Sequence, residues 1–148
     1  MNNRDKKEMG FALMAATKKG DREMIDRILG WGADINSTAS GLSVLHVAVV
    51  NGDGEMLNWL LEHKGINANV KDKNGRSPLH FAFARGSAAM ALDLVEKGGG
   101  LFEEDREKKM PLEYLAEREV VPFFRKMALL RAARKKQSKA LPSPRLMP

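Results

Sequence analysis

The chain contains no cysteine among its 148 residues. That absence excludes disulfide staples, thiol nucleophiles and thiolate-bound metals, and it fits a reducing compartment. No stretch approaches the ~20 consecutive apolar residues needed to cross a bilayer. The opening residues, Asn2 to Glu8, mix both charge signs with no apolar run behind them, so no secretory signal peptide is expected. Carboxylates are missing from everything after Glu119, while cations continue to accumulate. The remaining composition, 43% hydrophobic and 30% charged, is that of a folded globular chain with room for one compact domain and a tail. A formal charge of +6, with pI near 9.7, favours an acidic partner.

What the sequence does have is self-similarity. Gly41-Leu42-Ser43-Val44-Leu45-His46-Val47-Ala48 is echoed by Gly75-Arg76-Ser77-Pro78-Leu79-His80-Phe81-Ala82, every shared landmark displaced by 34 positions. Fainter copies flank these two. Leu13, Ala16 and Gly20 match Leu45, Ala48 and Gly52 at an offset of 32, and Pro111-Leu112 match Pro78-Leu79 at 33. Each copy makes physical sense as a unit. Asp72-Lys73-Asn74-Gly75 is a turn whose glycine permits positive φ. Ser77 then stands as a helix N-cap, with Pro78 at the first helical position, where its missing N–H costs nothing. Gly86 ends that helix. A second helix carries Met90, Leu92, Leu94 and Val95 before Gly98 to Gly100. Its counterparts carry Met56, Leu57, Trp59, Leu60 and Leu61 before Gly65, and Met24, Ile25, Ile28 and Leu29 before Gly32. Such a unit cannot bury both helices alone, so the units must stack.

Gly75-Arg76-Ser77-Pro78-Leu79-His80, Gly32-Ala33-Asp34-Ile35-Asn36 and Leu60-Leu61-Glu62 closely resemble the ankyrin repeat signatures G-x-T-P-L-H, G-A-D-V-N and L-L-E, over roughly Met9 to Lys126. The resemblance implies an all-α ankyrin solenoid of helix-turn-helix repeats joined by β-turn fingers. The repeats fall at about 9–36, 37–70, 71–103 and 104–136, after an N-terminal extension at 1–8 and before a flexible basic tail at 137–148. Departures locate the caps. Val44 replaces the usual proline in the second copy. In the fourth, Lys108 replaces the turn glycine and Glu113 the histidine, so that copy is expected to be a degenerate cap. Its second helix would begin at Pro122, with Phe123, Phe124, Met127 and Leu130 facing inward. The first copy lacks the Ser-Pro start and has Met14 at the histidine position.

No motif names a chemistry. Ser37, Ser40 and Ser43 lie near His46, but no acid is placed to orient the imidazole. Glu103-Glu104-Asp105 reads as a solvated turn. Gly98-Gly99-Gly100 follows a helix and lacks the G-x-x-x-x-G-K-[ST] phosphate pattern. Neither enzymatic activity nor a cofactor is expected. His46 and His80 share one repeat position, which argues for a common structural role over a metal pair, and no further ligand completes a zinc site. His63, beside Lys64 at a helix end, is expected to be solvated. Trp31 and Trp59 fall on second helices and are expected to pack; exposed, either would be an anchor on the opposite face.

The ankyrin resemblance further implies binding by the turn tips and the exposed sides of the first helices, which line one concave face. Carried onto this sequence, those positions include Lys18, Lys19, Leu42, Val50, Asn51, Lys73, Asn74, Arg76, Arg85, Arg106, Lys109 and Arg118. Cations predominate, with apolar contact from Leu42 and Val50. The expected partner is therefore another protein with an acidic or mixed acidic-apolar surface, met by a monomer in the cytoplasm, with no small-molecule substrate. Similar compact ankyrin proteins include adaptors, inhibitors of larger partners, and effectors that some intracellular bacteria deliver into host cells. The nucleus and a host cytosol therefore remain open as locations. The basic end keeps its own alternatives: a nuclear import signal, a contact for nucleic acid or acidic membrane, a transport address, or simply a solvated cap helix with a disordered end. Nucleic-acid binding would lack the interleaved aromatics that a stacking platform needs.

Overall fold

The computed structural model describes residues 2–140, with side chains described through Gln137. Helices α1 (Asn3–Lys19) and α2 (Arg22–Gly30) form one hairpin. Helices α3 (Val44–Val50) and α4 (Gly54–Leu61) form a second, and α5 (Pro78–Arg85) and α6 (Ala88–Glu96) a third. Two 3-10 turns, Pro111–Tyr114 and Glu117–Glu119, lead into the long α7 (Val120–Ala140). Among the described residues there is no named strand; extended pairing is confined to an isolated bridge between Ala39 and Leu42. The first helices stack as α1 on α3, α3 on α5 and α5 on the Pro111–Tyr114 turn, while α4 packs on α6 and α6 on α7.

The caps explain the hairpins. Within each, one short corner closes a helix and opens the next. Gly86, at φ 74°, ends α5, and the Ser87 amide reaches back to the Ala82 carbonyl at 3.1 Å. The Ser87 hydroxyl then accepts from the Met90 amide and starts α6. Asp21 and Asp53 do the same for α2 and α4, each accepting an amide at 3.0 Å. A shared polar group at each corner satisfies amides that would otherwise have no partner. Leu13, Ile25, Ile28, Leu45, Leu57, Leu60, Leu79, Phe83 and Leu94 then build one continuous core through the stack. Phe83 stacks on Phe123 with ring centroids 4.8 Å apart, which ties the third repeat to α7.

Neighbouring repeats are also laced by asparagines. Asn36 donates to the Gly65 carbonyl (2.8 Å) and accepts from the Asn67 amide (2.8 Å), and Asn69 treats Gly98 and Gly100 in the same way. The next register position is Phe102, which is 81% exposed, so the lacing ends there.

Three expectations need correction, those for the N-terminal extension, the second helix of the fourth repeat and the tail. The extension at 1–8 is not separate from the first repeat: α1 already begins at Asn3, capped by the Asn2 side chain on the Asp5 amide. The first helix of the fourth repeat is reduced to the Pro111–Tyr114 turn. Glu113 caps the Met110 amide at 2.6 Å, and among the described residues it reaches no further finger. Its second helix starts at Val120 and places Phe123 and Met127 inward, whereas Phe124 remains 37% exposed. The tail expected from 137 is helical through Ala140; residues 141–148 lie outside the described residues.

Candidate partner-binding face

The fingers are rigid because acidic side chains anchor them. Asp72 Oδ1 accepts the amides of Asn74 and Arg76, both at 2.8 Å. Asp105 repeats this with the amides of Glu107 and Lys109 at 2.8 and 2.9 Å, and its other oxygen accepts from the Tyr114 hydroxyl. That Tyr114 bond, despite some burial, holds the Asp105 carboxyl below its usual range. Burial, with the same bond acting second, pushes the Tyr114 phenol up to about 12. Asp105 is therefore a turn anchor and not part of a solvated acidic run. Lys108 occupies the left-handed position that Gly75 fills one repeat earlier, at φ 62°.

The fingers are fastened to one another by the two buried histidines. His46 Nδ1 accepts from the Ser43 amide at 3.1 Å, and Nε2 meets the Arg76 carbonyl of the next finger at 2.8 Å. An amide must donate to Nδ1, so Nε2 carries the proton and donates to that carbonyl. Burial lowers the His46 pKa below 6.5, in spite of the opposing carbonyl bond. His80 repeats the arrangement with the Ser77 amide at 3.0 Å and the Lys109 carbonyl at 2.9 Å. Both rings are thus occupied at both nitrogens, and Ser43, 1% exposed, is a capping group rather than a nucleophile. His63 departs from the solvated expectation. Its Nδ1 meets the Trp59 carbonyl at 3.0 Å, and its ring lies edge-on to the Trp59 indole at 4.4 Å.

On the face made by α1, α3 and the finger that carries Ala39, Ser40 and Leu42 lies an apolar groove of about 250 Å³. Leu42, Val50, Asn51 and Lys18 line it, so the fold brings those four expected positions together. Phe11, Met14 and Val47 also line it and were missed by the repeat pattern. Phe11 is 45% and Val50 52% exposed. Lys18, Lys19 and Asn51 further border an adjoining polar depression of about 640 Å³ at the helix ends.

The remaining expected positions divide by the work they already do. Lys73 is exposed, and its stem lies on the bare backbone of Gly41. The exposed Arg106 lies likewise on Gly75, and its amide donates to the Asn74 carbonyl at 3.0 Å. Arg76 is engaged: Nε reaches Asp72 at 3.1 Å and its guanidinium lies 4.8 Å over the Phe81 ring. Arg85 donates to the Val50 carbonyl at 3.1 Å, clasping the end of α3. Lys109 pairs with Glu107 at 3.3 Å. Arg118 sits in the Glu117–Glu119 turn and not on a first helix. Trp31 is not packed; it is 62% exposed at the end of α2. Trp59 is half-buried, with Arg22 5.6 Å above it. Among the described residues no helix is long and apolar enough to cross a membrane.

Comparison with known proteins agrees with this architecture. A family model for ankyrin repeats (3 copies) matches residues 13–105 and 45–141. An I-Kappa-B like protein C2 of Microplitis demolitor bracovirus is 30% identical over 99 residues, which are 66% of this chain and 54% of that protein. The E3 ubiquitin-protein ligase KEG of Arabidopsis thaliana is 34% identical over 104 residues, 63% of this chain but only 6% of that protein. The crystal structure of the ankyrin repeat domain of Bcl-3 matches with a TM-score of 0.68 and 32% identity, over 76% of this chain and 50% of that one. The chain thus spans about half or less of each of these proteins.

Proposed function

Because this chain belongs to the ankyrin repeat family, we propose that it is an adaptor-like module that grips an acidic or mixed acidic-apolar segment of another protein along its inner face, acting as a monomer in the cytoplasm. The observation that carries the proposal is the groove of Phe11, Met14, Leu42 and Val50 with Lys18 at its edge. Exposed apolar surface flanked by cations suits an apolar anchor followed by carboxylates. The exposed Lys73 and Arg106 extend the positive line along the fingers. Arg76 and Arg85 support the fold instead of reaching for a partner, so they are poor sites for a binding test.

The test is an affinity capture from cell lysate with the intact chain, compared with Val50→Asp, Lys18→Glu and Lys73→Glu. All three side chains are exposed, so the fold tolerates the changes. Loss of the captured protein in these variants, with unchanged circular dichroism, supports the inner face. Equal capture by all of them overturns it.

A further inference from the structure

A second groove, about 540 Å³, lies between α6 and α7, with Leu101 of the loop after α6 in its lining. Leu92 and Val95 line it from α6, Phe124 and Met127 from α7, and Arg131 and Lys135 border it. On α7, Phe124, Ala128, Arg131 and Lys135 follow one another at spacings of four, seven and eleven from the first, so they form a single stripe. Its first half is apolar and its second half cationic. Helix α7 has 21 residues and α6 has 9, so α7 runs to about 31 Å against about 14 Å and outlasts its neighbour.

The electrostatics of this stripe are one-sided. Helix α7 contains no Asp or Glu. The acids that α6 presents to it, Asp93 and Glu96, are both taken by Arg134, at 2.6 and 3.0 Å. Glu103, in the loop after α6, pairs with Lys71 at 3.1 Å. Among the described residues, the ion pairs of α7 are those of Arg134 alone. Arg131 and Lys135 stand one helical turn apart, a like-charge spacing that destabilises a helix unless an anion relieves it.

We infer that the α6–α7 groove is a second docking site, and that its occupant is an amphipathic helix of a partner protein with an apolar stripe and acidic residues toward one end. The apolar residues of that helix lie over Val95, Leu101 and Phe124, and its carboxylates meet Arg131 and Lys135. Other occupants fit less well. A second copy paired symmetrically through α7 would set cations against cations. A bilayer cannot enter a recess between two helices, and nucleic acid would leave the apolar floor unused. Residues 141–148 contain no Asp or Glu.

The test uses the full chain and a displayed library of random helical peptides, counter-selected against the Arg131→Glu/Lys135→Glu double variant. Both positions are exposed, and unchanged circular dichroism verifies the fold. The expected winners carry apolar residues at helical spacing with Asp or Glu toward one end. They should bind the native chain at least tenfold more tightly than the double variant, and should shift the amide signals of Leu92, Val95 and Ala128. A Val50→Asp variant should bind them unchanged, which separates this site from the inner face. Winners without acidic bias, equal binding by the double variant, or shifts confined to α1 and α3 would overturn the inference. So would preferential binding of the same groove to phosphatidylserine vesicles or a 20-nucleotide RNA, or sedimentation showing that a second copy of the chain fills it.

Discussion

Replacing His46 with alanine should cost about 3 kcal/mol of folding stability, a figure built from the groups the ring leaves behind. The imidazole holds the Ser43 amide at 3.1 Å and the Arg76 carbonyl at 2.8 Å. Each such backbone group, left buried and unpaired, costs about 1–3 kcal/mol. The Ser43 amide has no alternative, since both Ser43 and His46 are buried. The Arg76 carbonyl belongs to a half-buried residue, so water can reach it and its loss falls at the lower end. Loss of the edge-on contact with Phe81, centroids 5.0 Å apart, adds a smaller amount. Urea unfolding followed by circular dichroism at pH 7.5 would read the change as a lower midpoint with an unchanged slope. His46→Gln is the informative companion. Its amide oxygen can cap Ser43 from the same helix position, but it is too short to bridge to Arg76 as well, so it should recover roughly half of the loss. The native chain should also lose stability as the pH falls below 6.5. Burial keeps the folded imidazole neutral there while the unfolded chain takes up a proton, so ΔG of unfolding declines with falling pH. That His46 component should be missing from the alanine variant. A penalty under about 1 kcal/mol, against the buried-group costs above, would refute the inter-repeat bridge.

Further expectations concern the cap. Lys108→Gly should stabilise the chain by about 0.5–1 kcal/mol, because a left-handed backbone strains a side chain; a lower melting temperature would contradict it. Gly75→Ala should do the reverse, since an added Cβ would lie 3.0 Å from the Arg106 amide nitrogen at φ 76°. Arg134→Ala should cost about 1–2 kcal/mol at pH 7, a value discounted for the arginine's partial exposure. It would leave the Asp93 carboxylate, 7% exposed, without its partner. Burial already raises that carboxyl, so proton uptake should shrink the penalty as the pH falls toward 4; a penalty that grows in acid would exclude the pairing. Tyr114 is the sole tyrosine. Its rapid-mixing absorbance titration should therefore centre near 12 and move down in Asp105→Asn; a midpoint near 10 in the native chain would dissociate it from Asp105.

The repeat was legible because its landmarks do local work. Ser77, Pro78 and Gly86 cap and close a helix within a few residues of themselves, and their chemistry can be read without a fold. The engaged state of Arg76 and Arg85 was not legible in the same way. Arg85 takes the Val50 carbonyl, 35 positions away, and only stacking brings the two together. Asp105 was masked by Glu103 and Glu104, although its 33-residue offset from Asp72 was a usable signal. Phe11 and Met14 lie inside the first repeat as read from Met9, but the binding positions carried over from the family there were only Lys18 and Lys19. On α1, Phe11, Met14, Ala15 and Lys18 fall on one helical stripe, apart from the buried Leu13 and Ala16, and helical spacing alone could have shown it. The first helix of the fourth repeat is shortened to a 3-10 turn, with Glu113 at the histidine position. Glu113 can cap its own turn, but the cross-repeat hydrogen bond needs another finger.

The most direct measurement is an amide hydrogen-exchange footprint of the full chain bound to the protein it captures. Slowed exchange across Phe11 to Lys19, Ala39 to Asn51 and the Lys73 and Arg106 fingers, with the α2 and α4 surfaces unchanged, is the predicted result. Protection confined to α2, α4 or the Trp31 edge, with the inner face exchanging as in the free chain, would contradict the account.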